Sequence, residues 1–365
     1  MDEDEWRKML KRRNQKSQLA FLALFLIAAC LFSTGIWYFF FYTRSPEYAL
    51  RQTIHAVEAQ DREAFCRFVN LQTVTSHAYD DLTCDLFVYD STLTPKTKVM
   101  FEKFYVSIKP QLSLGTADTI LRRVESGQWS LPDGTDILKG RQLGIDYERF
   151  LERSQLRNTT FVKLGEVARN GRSATATIEI REDYTQTPFT LEVAMEQAGD
   201  GHWQITYVKN YRDYLDTIAG LQNGDIADYI EATKPIVDAC NETFRAQQAQ
   251  FKRLAASKNG TLTELQRTAL ASFLEEQVIP ALEERQQKLD AIDVPPGAGY
   301  LSRQRQHATE ISIKAWRHYI NGLRKDDPEE FDTAETLHKQ ELEVDLRVED
   351  IIHHTAVSKN MPNLP

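Results

Sequence analysis

The residues best suited to proton chemistry are few, and most lie close together. His77, Tyr79, Asp80 and Asp81 fall within one stretch that reads His-Ala-Tyr-Asp-Asp, and His55 precedes them. Imidazole beside carboxylate is common equipment for general acid–base work, because the pair can exchange a proton near neutral pH. The same composition also makes an ordinary polar loop ahead of Cys84. His353-His354 offers two more imidazoles, but neighbouring helical residues point about 100° apart and do not converge on one ion. Asp326-Asp327 with Glu329-Glu330 lacks the alternating oxygens and central glycine of a calcium loop. That run reads instead as a helix break followed by an acidic first turn, which suits the helix dipole. The chain contains no Gly-x-Ser-x-Gly, no phosphate loop and no His-Glu-x-x-His. Neither a cofactor nor a metal is expected. Asn158-Thr-Thr, Asn241-Glu-Thr and Asn259-Gly-Thr fit the glycosylation pattern. Cys66 and Cys84 lie in one small region and are the candidates for a disulfide; free thiols at Cys66, Cys84 and Cys240 are the alternative.

The element that places all of these in a compartment is near the N-terminus. No residue from Leu19 to Tyr42 is charged. A helix of that length spans roughly 36 Å, enough to cross a hydrocarbon core of about 30 Å with some tilt. A cleaved secretory signal has a shorter apolar region and a small-x-small cut site. Here the run ends in Trp37, Tyr38, Phe39, Phe40, Phe41 and Tyr42, bulky rings that favour the membrane interface. Arg7, Lys8, Lys11, Arg12, Arg13 and Lys16 precede it, and only Arg44 and Arg51 follow closely. Positive flanks stay in the cytoplasm. The expectation is a single-pass anchor at 19–42 in the plasma membrane, a basic cytoplasmic tail at 1–18, and everything from about residue 44 outside the cytoplasm.

About 320 residues follow the anchor, enough for two domains with real cores. The formal net charge of −9 offers no basic cluster for nucleic acid. Ser45-Pro46-Glu47 starts a helix, with a capping serine, proline in the first turn and an acid after it. Further helices are expected through Phe65 to Val69 and over Pro95 to Ile108. Between 111 and 160 the pattern suggests a strand at Ile120–Val124, a turn at Pro132-Asp133-Gly134 and a helix around Tyr147–Leu156. Then the period becomes two. Phe161–Val167 is strand-like, and Ser173–Arg181, Pro188–Gln197 and Trp203–Val208 alternate apolar with polar residues; Asn170-Gly171 and Gly199-Asp200-Gly201 supply turns. This predicts an antiparallel meander with one buried face.

Helices first, then such a sheet closing on Gly201-x-Trp203-x-Ile205-x-x-Val208-x-Asn210, resembles the nuclear-transport-factor-like superfamily. That superfamily has a cystatin-like α+β cone, with helices packed on a curved antiparallel sheet. The Ser-Pro-Glu-Tyr-Ala-Leu start after the anchor also resembles bacterial single-pass proteins that carry such a domain. The resemblance covers roughly residues 46–222 and implies a cone over 45–222. Its functions include isomerases, dehydratases, cyclases, ligand carriers and protein-binding modules. Its enzymes work with Asp, His, Tyr or Arg inside the cone. Here the expected inward residues are Ala176, Ile178, Ile180, Phe189, Leu191, Val193, Met195, Trp203, Ile205 and Tyr207, none ionisable near neutral pH. Ile178, Leu191, Val193, Trp203, Ile205 and Tyr207, with His55 and Tyr79 from the helices, are therefore pocket candidates rather than a catalytic set.

From Ile226 onward the period is helical. Four apolar stripes, broken near Ser257–Gly260, Asp293–Gly299 and Asp326-Asp327-Pro328, predict an all-α up-down bundle over 225–353 and a flexible tail at 354–365. Pro235 and Pro280 should each kink or split a helix. The functional expectation is a non-enzymatic binding or scaffold protein that meets a protein partner in the envelope. A carrier or sensor of a small apolar ligand is one alternative. A hydrolase or isomerase with helix-borne residues is the other.

Overall fold

The computed structural model describes residues 24–34, 38, 42–83, 94–130, 147–256 and 262–359. Cys84, the Pro132-Asp133-Gly134 turn, the basic tail and most of the aromatic end of the apolar run lie outside these. Residues 24–34 are helical, with exposed apolar side chains. Among the described residues no helix is long and apolar enough to cross a membrane.

A 3₁₀ turn over Tyr42–Arg44 leads into α1 (Pro46–Glu58). The cap is the expected one: Ser45 Oγ accepts from Tyr48 N at 3.1 Å. Helix α2 (Arg62–Phe68) is capped by Asp61, whose Oδ1 accepts from Ala64 N at 2.9 Å. Helix α3 (Leu71–Thr83) follows, and it turns the His77–Asp81 stretch into a helix rather than a loop. Its buried residues Leu71, Thr75, Tyr79 and Leu82 sit three or four apart, so the polar composition belongs to the other face.

Helix α4 (Pro95–Ser126) extends well past the expected end at Ile108. The strand expected at Ile120–Val124 is its last turns. The β-branched residues there mimic a strand, but the buried positions Ile108, Leu112, Thr116, Thr119 and Val124 follow helical spacing. Thr119 Oγ1 donates back to Gly115 O at 2.9 Å, which satisfies the hydroxyl inside the helix. Helix α5 (Tyr147–Arg153) is short.

The sheet is a four-stranded antiparallel meander in the order β1 (Thr159–Asn170), β2 (Ser173–Glu182), β3 (Pro188–Gln197) and β4 (Trp203–Val208). The alternation is as expected: Ala174, Ala176, Ile180, Val193, Met195 and Trp203 are buried. Irregularities between Phe161 and Lys163 and between Leu164 and Val167 bend β1. A third, between Ala194 and Met195, changes the phase of β4. Val208 now stands opposite Val193 and joins the apolar cluster, while Tyr207 pairs with Ala194. The free edge of β4 is covered where Asn70 N donates to Ile205 O at 2.9 Å, beside a parallel bridge from Val69 to Ile205.

A helical region completes the chain. Helix α6 (Tyr211–Leu254) is 44 residues long and runs unbroken through the junction expected near 222–225. Its first half buries Tyr211, Tyr214 and Ile218 against the sheet, and further on it buries Ile226, Tyr229 and Thr233 among the later helices. Gly220 and Gly224 have open space around them and do not interrupt it. Pro235 lies inside this helix without ending it. Pro280 does divide its stripe, into α7 (Glu264–Phe273), a π turn at Leu274–Val278 and α8 (Ile279–Asp290). Proline has no N–H to give, and the wider turn ahead of it is closed by Ile279 N donating to Leu274 O. Helices α9 (Gly299–Lys325) and α10 (Pro328–Lys359) follow. Asp326 takes the left-handed conformation at φ 53° and ends α9.

Candidate functional site

Of the expected pocket lining, Tyr79, Val193 and Trp203 are buried, and Ile178, Leu191, Ile205 and Tyr207 are partly buried. Trp203 is 1 % exposed and Val193 3 %. Trp203 packs with Ala49, Leu50, Phe68 and Met195, and its Nε1 donates to Arg44 O at 2.9 Å. Ile178 and Leu191 pack against the cluster of Ile180, Tyr211, Tyr214 and Ile218. Ile205 packs against the Phe68 and Phe65 clusters. Tyr79 lies in a separate cluster with Ile108, Leu112, Tyr147 and Leu151, and its hydroxyl donates to Tyr105 O at 3.1 Å. Burial pushes the Tyr79 hydroxyl well above the usual phenol range.

The titratable stretch is only partly assembled. The His77 ring lies against Tyr207 at a tilt of 51°, with centroids 4.6 Å apart. Lys109 Nζ lies 2.6 Å from Asp80 Oδ1. Burial raises the Asp81 carboxyl, helped by Asp80 and opposed by His77 and Arg212. His55 is exposed on α1, and no contact joins it to this group among the described residues. Cys66 is an exposed free thiol, and its candidate partner Cys84 lies outside the described residues. His353 and His354 have ring centroids 6.0 Å apart. Among the described residues no group of three or more His, Cys, Asp or Glu is placed to hold a metal ion.

A larger polar arrangement among the described residues lies elsewhere, where the sheet half meets the helical half. Glu152 on α5 is 6 % exposed. Its Oε2 lies 3.2 Å from Arg157 Nη2, and its Oε1 accepts from Asn158 Nδ2 at 3.1 Å. Arg157 also reaches Glu148 Oε1 at 2.7 Å. Burial raises the Glu152 carboxyl, and Arg157 and Asn158 oppose this. Asn158 is thus a buried hydrogen-bond donor, a poor site for the glycan its sequence pattern suggested.

The β2–β3 turn feeds the same seam. Glu182, fully buried, accepts from Tyr184 N at 3.0 Å and from Thr185 N at 2.7 Å. This holds Tyr184, whose ring carries the Arg303 guanidinium of α9 at 5.1 Å and whose hydroxyl accepts from Arg303. Burial, then Glu152, pushes the Tyr184 hydroxyl up to about 12. Gln155 Nε2 donates to Gln222 Oε1 on α6 at 3.2 Å, and Tyr211 OH donates to Ser154 O at 2.6 Å. Asp225 Oδ2 accepts from Gly297 N at 2.7 Å. On α10, Asp350 pairs with Arg149 at 3.2 Å and with His354 at 3.0 Å.

None of these residues stands in a known chemical motif. The one signal was the dense alternation of sign in Tyr147-Glu-Arg-Phe-Leu-Glu-Arg-Ser-Gln-Leu-Arg-Asn158, more charge than a short helix needs for solubility. Each carboxylate along the seam is met by a guanidinium, an amide or an imidazole. What the arrangement does is fix one half of the molecule on the other.

No protein-family model matches the chain, no curated protein matches it, and no solved structure matches it.

Proposed function

We propose that the chain is an anchored extracytoplasmic protein, held in the plasma membrane by residues 19–42, that works as a non-enzymatic binding or scaffold module in the envelope. In this reading the sheet half is a nuclear-transport-factor-like cone and the helical half an up-down bundle. One observation supports it most: the apolar residues that would line a ligand cone are either buried or packed, partly buried, against the core clusters. Leu50 and Phe68 from α1 and α2 fill the space over Trp203 and Met195, and Ile218 from α6 is fully buried beside Ile180. A carrier needs a volume to offer its ligand, and an enzyme needs an acid or base within reach of a bound substrate. A filled cone fused by a continuous helix and a charged seam to a helical region supplies a rigid surface instead.

Native mass spectrometry on the full chain, released from its own membrane in mild detergent, tests this. The expected spectrum holds the bare chain, or the chain with another protein. A discrete extra mass below about a kilodalton, the size class of pocket ligands, would overturn the scaffold reading in favour of the carrier.

A further inference from the structure

Both short hairpin turns of the meander, at 170–173 and 198–202, lie at one end of the sheet, as the antiparallel order requires. The segment leaving the apolar run is fastened to that same end. Trp203 Nε1 donates to Arg44 O at 2.9 Å. Tyr38 stacks on Tyr42 at 5.5 Å, Tyr42 meets Tyr48 at 5.5 Å, and Tyr48 meets Phe68 at 6.1 Å. Phe68 in turn meets His202 at 6.4 Å. The connection is a run of ring contacts, not a free tether.

Around this end stand Arg44, Arg67, Arg169 and Arg172, all exposed. The Arg67 guanidinium lies 5.8 Å from the Phe68 ring centre, and Arg169 lies 5.1 Å from that of Trp203. Arg169 Nε donates to Gly171 O at 3.1 Å, and Arg172 Nη2 donates to Gln197 O at 3.1 Å. Gly201 lies beside Arg44, since a Cβ built there would be 3.9 Å from Arg44 Nη1. Among the described residues none of the four forms an ion pair with a carboxylate. Acids stand at this end too: Glu47, Glu196 and Asp200, with Glu63 one turn before Arg67 on α2, and Asp200 is engaged by the His202 ring. The chain as a whole has a net charge of −9. A group of four arginines without carboxylate partners is a local exception to that charge. Each guanidinium carries five N–H donors in a planar fork that matches phosphate, and one bond to a carbonyl leaves most of them unused.

We propose that this end of the sheet is a docking face for anionic phospholipid headgroups of the membrane that holds the anchor. The inference rests on the anchored reading above. Its occupant follows from attachment: the anchor delivers the chain at this face, so the arginines start near the headgroups. Exposed charges act over about 8 Å at physiological salt, and tethering raises the effective concentration of the surface they meet. The docked face would hold the sheet upright on the membrane, with the helical half directed by the rigid seam.

The test uses the full chain reconstituted in vesicles of phosphatidylcholine alone or mixed with phosphatidylglycerol. A fluorophore on exposed Cys66, beside Arg67, reports contact with a headgroup quencher, with Cys30, Cys84 and Cys240 changed to serine. Quenching should be stronger with phosphatidylglycerol and should fall at high salt. In Arg67→Gln/Arg169→Gln/Arg172→Gln it should drop to the level seen in phosphatidylcholine. Arg172→Gln alone, which touches no ring, should weaken docking about fivefold with the fold intact. Equal quenching in both vesicle types, from a chain that resists carbonate extraction, would overturn the docking face while leaving the anchor. A chain stripped by carbonate would remove the anchor, and the docking face with it.

Discussion

The space under the sheet and the seam between the two halves are both buried, yet they are held by different physics. Under the sheet, Trp203, Met195, Leu50 and Phe68 meet as hydrocarbon, and any shape that excludes water contributes. Along the seam, Glu152, Arg157, Asn158 and Glu148 meet as charge and hydrogen bond, where direction and pairing decide the outcome. The first kind of contact tolerates repacking within limits. The second fails when one partner is removed and recovers when both are. That difference can be measured.

The largest effect belongs to the hydrocarbon side. Trp203→Ala removes the largest fully buried side chain among the described residues and the bond to Arg44 O. It should cost about 3–5 kcal/mol in urea unfolding, and no second apolar truncation nearby should restore it. Arg157→Met comes next. It leaves the buried Glu152 carboxylate without its guanidinium partner, with Asn158 and Tyr184 still beside it, and should cost about 2–3 kcal/mol, less than a wholly buried pair because Arg157 is 21 % exposed. Glu152→Gln added to Arg157→Met should recover more than half of that loss. If the double variant is as unstable as the sum of the two, the pair is not acting through charge and the contrast between the regions collapses.

These two regions were not equally legible in the sequence. The period-two alternation in Ser173–Arg181 and Pro188–Gln197 announces a buried face, because burial on a pleated sheet repeats every second residue. The apolar side chains under it could therefore be named in advance, all but the phase change at Tyr207 and Val208, which an irregularity in the neighbouring strand imposes. Long helices were less secure. Thr116, Thr119, Ile120 and Val124 carry strand-like side chains on a helix whose identity comes from what α4 packs against. The seam was nearly invisible. Arg303 and Tyr184 are 119 positions apart, and Arg149 and Asp350 are 201 apart. Nothing in a charged residue's own neighbourhood says which distant partner will meet it.

A third prediction sharpens the comparison at the backbone. Gly297 lies against α6, and a Cβ there would fall 2.8 Å from Gln222 Cα. Since main chain cannot swing aside, Gly297→Ala should cost about 1–3 kcal/mol, by overpacking and by disturbing the Asp225 bond. Gly224→Ala, on the same helix with open space around it, should instead stabilise by up to about 1 kcal/mol. Thermal unfolding of the two variants side by side reads the sign directly. If both stabilise, the two halves do not pack as closely as the geometry of the seam requires.

The smallest effect lies at the rim of the seam and depends on pH. Burial would raise the Asp350 carboxyl, but the His354 hydrogen bond and the Arg149 guanidinium outweigh it and hold it at about 2. The same hydrogen bond raises the His354 imidazole above its ordinary range, against burial and the nearby Arg153. The two groups act in opposite senses. An acid with a lowered value stabilises the fold above its unfolded value of about 3.9, and that contribution fades as pH falls from there. A histidine with a raised value stabilises the fold below about 6.5, and its contribution fades as pH rises through the folded value. Their joint support is therefore greatest between about pH 4 and 6.5. Both side chains are partly exposed, 41 % for Asp350 and 49 % for His354, so the total should stay below about 1 kcal/mol. Subtracting the urea midpoints of Asp350→Asn from those of the parent chain across pH should leave a plateau with a decline on either side. A decline on the acid side alone would mean that Arg149 holds Asp350 without His354, and a difference that does not change with pH would mean that neither ion pair supports the fold at this rim of the seam.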